Sequence, residues 1–160
     1  MDIFEYAMQM EKDGEKFYRE LAQQTSSKGL VTILTMLADE EVKHCQAIER
    51  LRRDNYEMAE TTVLDGARNV FVEMKERGER LEPGQEQVEL YAKAQEIEER
   101  SRRFYQEKAG QTDKDDQKAL FERLTKEEEE HYRLLENIVD FISRPKQWLE
   151  NAEWYHMEDY

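Results

Sequence analysis

The chain has 160 residues, a formal charge of −14, 39 % charged side chains, six Gly and two Pro. That length fits one domain with a sizeable core, and a charge-rich chain with few breakers favours helix. The acidic balance argues against a nucleic-acid partner, and no basic amphipathic stretch suits a membrane surface. No apolar run approaches the roughly 18 residues of a membrane span, and "MDIFEYAMQMEKD" lacks a basic start followed by an apolar stretch. Neither an anchor nor a signal peptide is expected. The single cysteine, Cys45, excludes an intramolecular disulfide and a four-cysteine iron or zinc site, so a reducing cytoplasm is the expected compartment.

In chain order, a first helix is predicted over about 2–25, carrying Glu11 and Tyr18. After the turn "TSSKG", a second runs over about 28–55 and contains "LADEEVKHCQ". Its seam reads Leu34, Leu37, Glu41, His44, Ile48, Leu51, steps of 3, 4, 3, 4, 3, with a carboxylate and an imidazole where leucines belong. Residues 56–83 are too many for a tight turn and too apolar for a solvated linker, with Val63, Leu64, Val70, Phe71, Val72 and Met74. They read as a long crossover, partly helical, that returns the chain to the far end of the bundle. A plain loop with a short extra helix is the alternative.

A third helix follows over about 84–110, with Pro83 suited to its first turn, and a fourth over about 114–142 after "GQTDKDD". The fourth repeats the second: Phe121, Leu124, Glu128, His131, Leu135, Ile138 have the same spacing, 87 residues on (131 − 44 and 128 − 41). The offset continues upstream without a gap, pairing Ala7/Ala94, Glu11/Glu98, Phe17/Phe104, Tyr18/Tyr105, Glu20/Glu107 and Ala22/Ala109. The chain is a duplicated helix pair. Pro145 follows the fourth helix, and residues 143–160 form an aromatic tail with Trp148, Trp154, Tyr155, His156 and Tyr160. That tail is expected to fold back on the bundle or on a second subunit, giving a homodimer, with His156 away from the metal.

Four carboxylates buried without partners would each cost several kcal/mol and would repel one another. Buried cations remove that cost. Glu and His at i, i+3 share a helix face, so Glu41 with His44 and Glu128 with His131 reach one metal pair. Glu11 and Glu98 add one carboxylate each. The set offers two bridging carboxylates, two terminal ones and one imidazole per metal, a mixture suited to iron or manganese. Glu40 and Glu127 also match each other but sit one step off the seam, as outer partners or surface charges. Tyr18 and Tyr105 lie two turns past Glu11 and Glu98, as donors to ligand carboxylates or as packing aromatics.

Across about residues 2–142 the chain resembles the ferritin-like di-iron proteins, and among them the rubrerythrin-like group. The matching features are Glu11 with Tyr18, the run Glu41-Val42-Lys43-His44, Glu98 with Tyr105, and the run Glu128-Glu129-Glu130-His131. The resemblance implies an all-α, ferritin-like four-helix bundle over 1–142 with a crossover at about 56–83 and a short helical tail. It implies two iron ions per chain, with manganese or zinc as other occupants, and reduction of peroxide or oxygen. Rubrerythrins usually carry a four-cysteine iron domain for electron delivery. With one cysteine, this chain is expected to draw electrons from a separate donor protein. Rubrerythrins also carry an extra glutamate one turn after the third-helix ligand. Here Ser101 stands there, mated with Gly14, so a more symmetric centre is expected, with little metal displacement and slower peroxide turnover. Two other functions remain open: oxidation of ferrous iron for storage, and a non-enzymatic bundle whose metals only hold the helices together.

Overall fold

The computed structural model describes residues 2–151 and Trp154. Tyr155, His156 and Tyr160 lie outside the described residues, and with them any role of that histidine. Helices α1 (Ile3–Gln24), α2 (Lys28–Arg52), α4 (Val88–Gln111) and α5 (Asp115–Ser143) form the bundle. Helix α3 (Val63–Glu76) lies in the crossover, and α6 (Pro145–Glu150) follows α5. No strand occurs among the described residues. The fold is the all-helical, ferritin-like bundle expected from the duplicated seams.

Local chemistry sets the helix ends. Asp2 caps α1 by accepting from the Glu5 N–H at 2.8 Å, and Ser27 caps α2 by accepting from the Leu30 N–H at 3.2 Å. Two boundaries differ from expectation. Helix α2 stops at Arg52 rather than near 55, where Asp54 takes a positive φ of 59° that ends the helical run. Helix α4 starts at Val88 rather than 84, and Pro83 is not in its first turn. The Gln85 N–H instead reaches the Glu82 carbonyl at 3.0 Å, and Gly84 has φ +82°. Proline followed by glycine at the centre of such a turn fits a type II geometry, which cannot continue into a helix. Pro145 does stand immediately after α5, at the first turn of α6.

Contacts at the helix ends define the topology. Thr25, just past α1, donates its hydroxyl to Glu86, just before α4, at 2.5 Å. Helices α1 and α4 are therefore antiparallel. Lys114, at the start of α5, reaches Asp54, past the end of α2, at 3.4 Å, so α2 and α5 are antiparallel as well. The crossover ends beside the α1–α2 turn, where Glu79 accepts from the Ser27 hydroxyl at 2.7 Å. It has carried the chain the length of the bundle. Its helix α3 buries Phe71 against Phe141 and Trp148, with ring centroids 5.6 and 4.5 Å apart. Trp148 and Trp154 are themselves buried there.

Two apolar clusters fill the interior. One gathers Leu30, Ile33, Leu37, Phe71, Leu134, Ile138, Phe141 and Trp148. The other gathers Ala7, Ile48, Leu51, Tyr105, Phe121 and Leu124. Along both seams the glutamate and histidine fall between residues of the first cluster and residues of the second. The bundle thus carries one buried polar layer within an apolar core.

Candidate metal centre

All six seam residues, Glu11, Glu41, His44, Glu98, Glu128 and His131, are buried, none more than 3 % exposed. Each bundle helix supplies its share because the apolar residues on either side fix which face turns inward. The two histidine rings stack, with centroids 5.5 Å apart and planes within 10°. Both direct Nδ1 at the carboxylates. His44 Nδ1 lies 2.9 Å from Glu128 Oε1 and 3.6 Å from Glu11 Oε2. His131 Nδ1 lies 3.5 Å from both Glu41 Oε1 and Glu98 Oε1. The ligand atoms fall into two groups of four, Glu11, Glu41, His44, Glu128 and Glu41, Glu98, Glu128, His131, each within 4.8 Å of one another. Glu41 and Glu128 belong to both groups.

The chemistry of the donors bears on what fits here. One oxygen of each carboxylate (Glu11 Oε2, Glu41 Oε1, Glu98 Oε2, Glu128 Oε2) is buried without a hydrogen-bond partner, as is His131 Nδ1. Buried polar atoms are ordinarily paired, and leaving a set of them unpaired costs several kcal/mol. Divalent cations held by these two groups would give such atoms partners. Oxygen-rich donors with one imidazole each suit iron or manganese. The residues present therefore fit a carboxylate-bridged metal pair.

Burial drives Glu41 and Glu128 well above the ordinary carboxylate value, and the neighbouring glutamates drive them further. Burial pushes Glu11 and Glu98 the same way but is outweighed. Glu11 is lowered by Glu41 and His44, and Glu98 is brought to about 2 by Glu128 and His131. Burial disfavours charged histidine, yet Glu11 lifts His44 well above the ordinary value and Glu98 lifts His131 to about 9. The shifts thus favour charge on Glu11, Glu98 and both imidazoles, and the neutral form of the two shared carboxyls.

The tyrosines act across the bundle rather than along their own helices. Tyr18 of α1 donates to Glu98 of α4, and Tyr105 of α4 donates to Glu11 of α1 at 2.5 Å. Antiparallel pairing of α1 with α4 places each tyrosine opposite the partner helix's glutamate. Gly14 is small because Glu41 lies against it: a Cβ there would sit 3.2 Å from Glu41 Oε2. Ser101, its repeat mate, instead borders a cleft of about 220 Å³ between α1 and α4, with Met10 and Ile97.

Two contacts are not spelled out by the sequence. Glu127 accepts from His44 Nε2 at 2.9 Å, and Glu40 is bound by the Thr61 hydroxyl of the crossover. The repeat singles out both glutamates, but the partner of each depends on how α2 faces α5. Thr61 carries no sequence signal. Cys45 lies beside His44 but faces away, its Sγ 3.9 Å from the Met8 carbonyl oxygen.

Among the described residues, no helix is long and apolar enough to cross a membrane. No curated protein and no solved structure matches the chain. The rubrerythrin family model matches residues 2–139, nearly the whole bundle and all six candidate ligands. The chain belongs to the rubrerythrin family, whose members carry a ferritin-like di-iron domain.

Proposed function

We propose that the protein is a di-iron oxidoreductase that reduces hydrogen peroxide, and more slowly oxygen, with electrons from a separate donor protein. The observation that carries this reading is the pair of four-ligand groups sharing Glu41 and Glu128, each carboxylate with an orphaned oxygen. A bound iron pair would supply two electrons together, the number needed to reduce one peroxide to two waters. The protein's part is to hold, orient and shield. Glu11, Glu41 and His44 with Glu128 would hold one iron, and Glu98, Glu128 and His131 with Glu41 the other. The flanking apolar clusters keep bulk water from the layer, which strengthens every charge interaction within it.

The reaction also consumes two protons. Burial and nearby carboxylates raise Tyr18 and Tyr105 well above the ordinary phenol value, so each keeps its O–H against a ligand carboxylate. These hydroxyls fix the terminal carboxylates and hold protons next to the reacting atoms. On this reading a small oxidant approaches from the α1–α4 side, where a cleft is bordered by Met10, Lys93, Ile97, Arg100 and Ser101. Cys45 is the one cysteine of this chain and cannot build a four-thiolate iron site, which supports an electron donor outside these residues.

Anaerobic loading with ferrous iron, followed by separate additions of peroxide and oxygen, tests the reading through near-ultraviolet absorption of the oxidised centre. One peroxide should oxidise both irons, faster than an equal amount of oxygen. Preference for oxygen with release of ferric iron would instead identify iron oxidation for storage. No reaction with either oxidant would identify a structural metal site.

A further inference from the structure

Each histidine shows its two nitrogens to different surroundings. Nδ1 faces the carboxylates of the layer, while Nε2 points outward across the α2–α5 contact. There His44 Nε2 donates to Glu127 Oε1 at 2.9 Å, and Glu127 is itself only 5 % exposed. Repeat symmetry places Glu40 against His131 in the same way, but their gap is 3.9 Å, beyond hydrogen-bond reach. His131 Nε2 is consequently buried with no hydrogen-bond partner.

The difference between the halves has a visible origin. Glu40 accepts from the Thr61 hydroxyl and from Lys43 Nζ, the latter at 3.3 Å. Thr61 belongs to the crossover, which only the first half of the repeat possesses. On the other side, Arg123 approaches Glu127 no closer than 3.9 Å and leaves it to His44. Glu130, half-buried near both Glu40 and Glu127, adds negative charge and is offset by Lys126.

We propose that Glu127 is the positioning residue of His44, and that Thr61, by drawing Glu40 away from His131, makes the His131 half the weaker metal site. This rests on the metal-centre reading above. A carboxylate on the outer N–H of an imidazole fixes its tautomer, leaves the inner nitrogen's lone pair free and holds the ring in place. Loss of such a partner typically costs about 10–100-fold in metal affinity. His44 has this support, and His131 lacks it.

The test is anaerobic calorimetric titration with cobalt(II), with the visible bands of the bound ion as an independent report on each site. The wild type should take up two ions in two steps separated by about tenfold or more. Glu127→Ala should weaken the tighter step by about 10–100-fold, and Glu127→Gln by less, since the amide oxygen accepts the same N–H without charge. Thr61→Val frees Glu40 for His131 and should strengthen the weaker step by about tenfold, drawing the two together. Thr61→Val touches neither histidine and decides the matter if the Glu127 variants do not fold. Two equal wild-type steps, or unchanged affinities in Thr61→Val and the folded Glu127 variants, overturn the proposal. Failure of the wild type to bind two ions overturns the metal-centre reading instead.

Discussion

At position 14 a methyl group would lie 3.2 Å from Glu41 Oε2 and 3.3 Å from its Cδ. Two effects compete there. Alanine within a helix is favoured over glycine by about 1 kcal/mol. Against that, the glutamate must give by a few tenths of an ångström. In the metal-free protein no cation fixes Glu41, whose pKa burial holds well above the ordinary value, so Gly14→Ala should raise stability by about 0.5–1 kcal/mol. With metal bound, the same carboxylate would be held by the centre, and the methyl group should cost affinity. Unfolding of both forms, with and without the substitution, measures this. Equal stabilisation of the free and loaded protein would show that Glu41 needs no room at Gly14.

Helix α3 is more than a connector. Phe71 is fully buried, and its ring contacts Phe141, Trp148 and Trp154 at 5.6, 4.5 and 6.2 Å between centroids. Truncating such a side chain typically costs about 3–5 kcal/mol. Phe71→Ala should lose that much in urea unfolding while leaving cobalt affinity within a few-fold of wild type, since Phe71 does not touch the polar layer. A loss under about 1 kcal/mol would mean that the crossover helix contributes little to the core. The apolar content of residues 56–83 was enough to expect such burial. The duplicated seams were legible for a similar reason: a carboxylate and an imidazole interrupting two leucine seams at one offset have few other physical explanations. The start of α4 was misread because Pro83 suits a helix's first turn and a type II turn equally, and only Gly84 at φ +82° decides. The partners of Glu40 and Glu127 were hidden because they depend on how α2 meets α5 and on the path of Thr61. Spacing within one helix carries neither.

The whole bundle balances charge in its polar layer, and its stability should follow pH accordingly. His131 is raised from 6.5 to about 9, so its contribution is complete below 6.5 and is lost as pH climbs through about 9. His44, also raised, is lost in the same direction. Glu41 and Glu128 are raised too, so their contribution is complete below the ordinary 4.5 and is lost as pH rises above it. Glu98 runs the other way: held at about 2, its contribution is present above 4.5 and is lost as pH falls toward about 2. The metal-free protein should therefore be most stable near pH 4.5 and weaken steadily from there toward about 9. Metal loading removes this slope, because binding displaces protons from His44, His131, Glu41 and Glu128 and so strengthens as pH rises. A site filled at a hundred times its Kd adds about 2.7 kcal/mol, and about 1 kcal/mol moves Tm by roughly 2–4 °C in a chain of this size. Two such sites should raise Tm by on the order of 10–20 °C. The gap between loaded and metal-free melting should widen from 6.5 to about 9. Calorimetric scans of both forms across that interval decide it. A metal-free protein that holds or gains stability there would mean that the four carboxylates do not crowd one another as this layer requires.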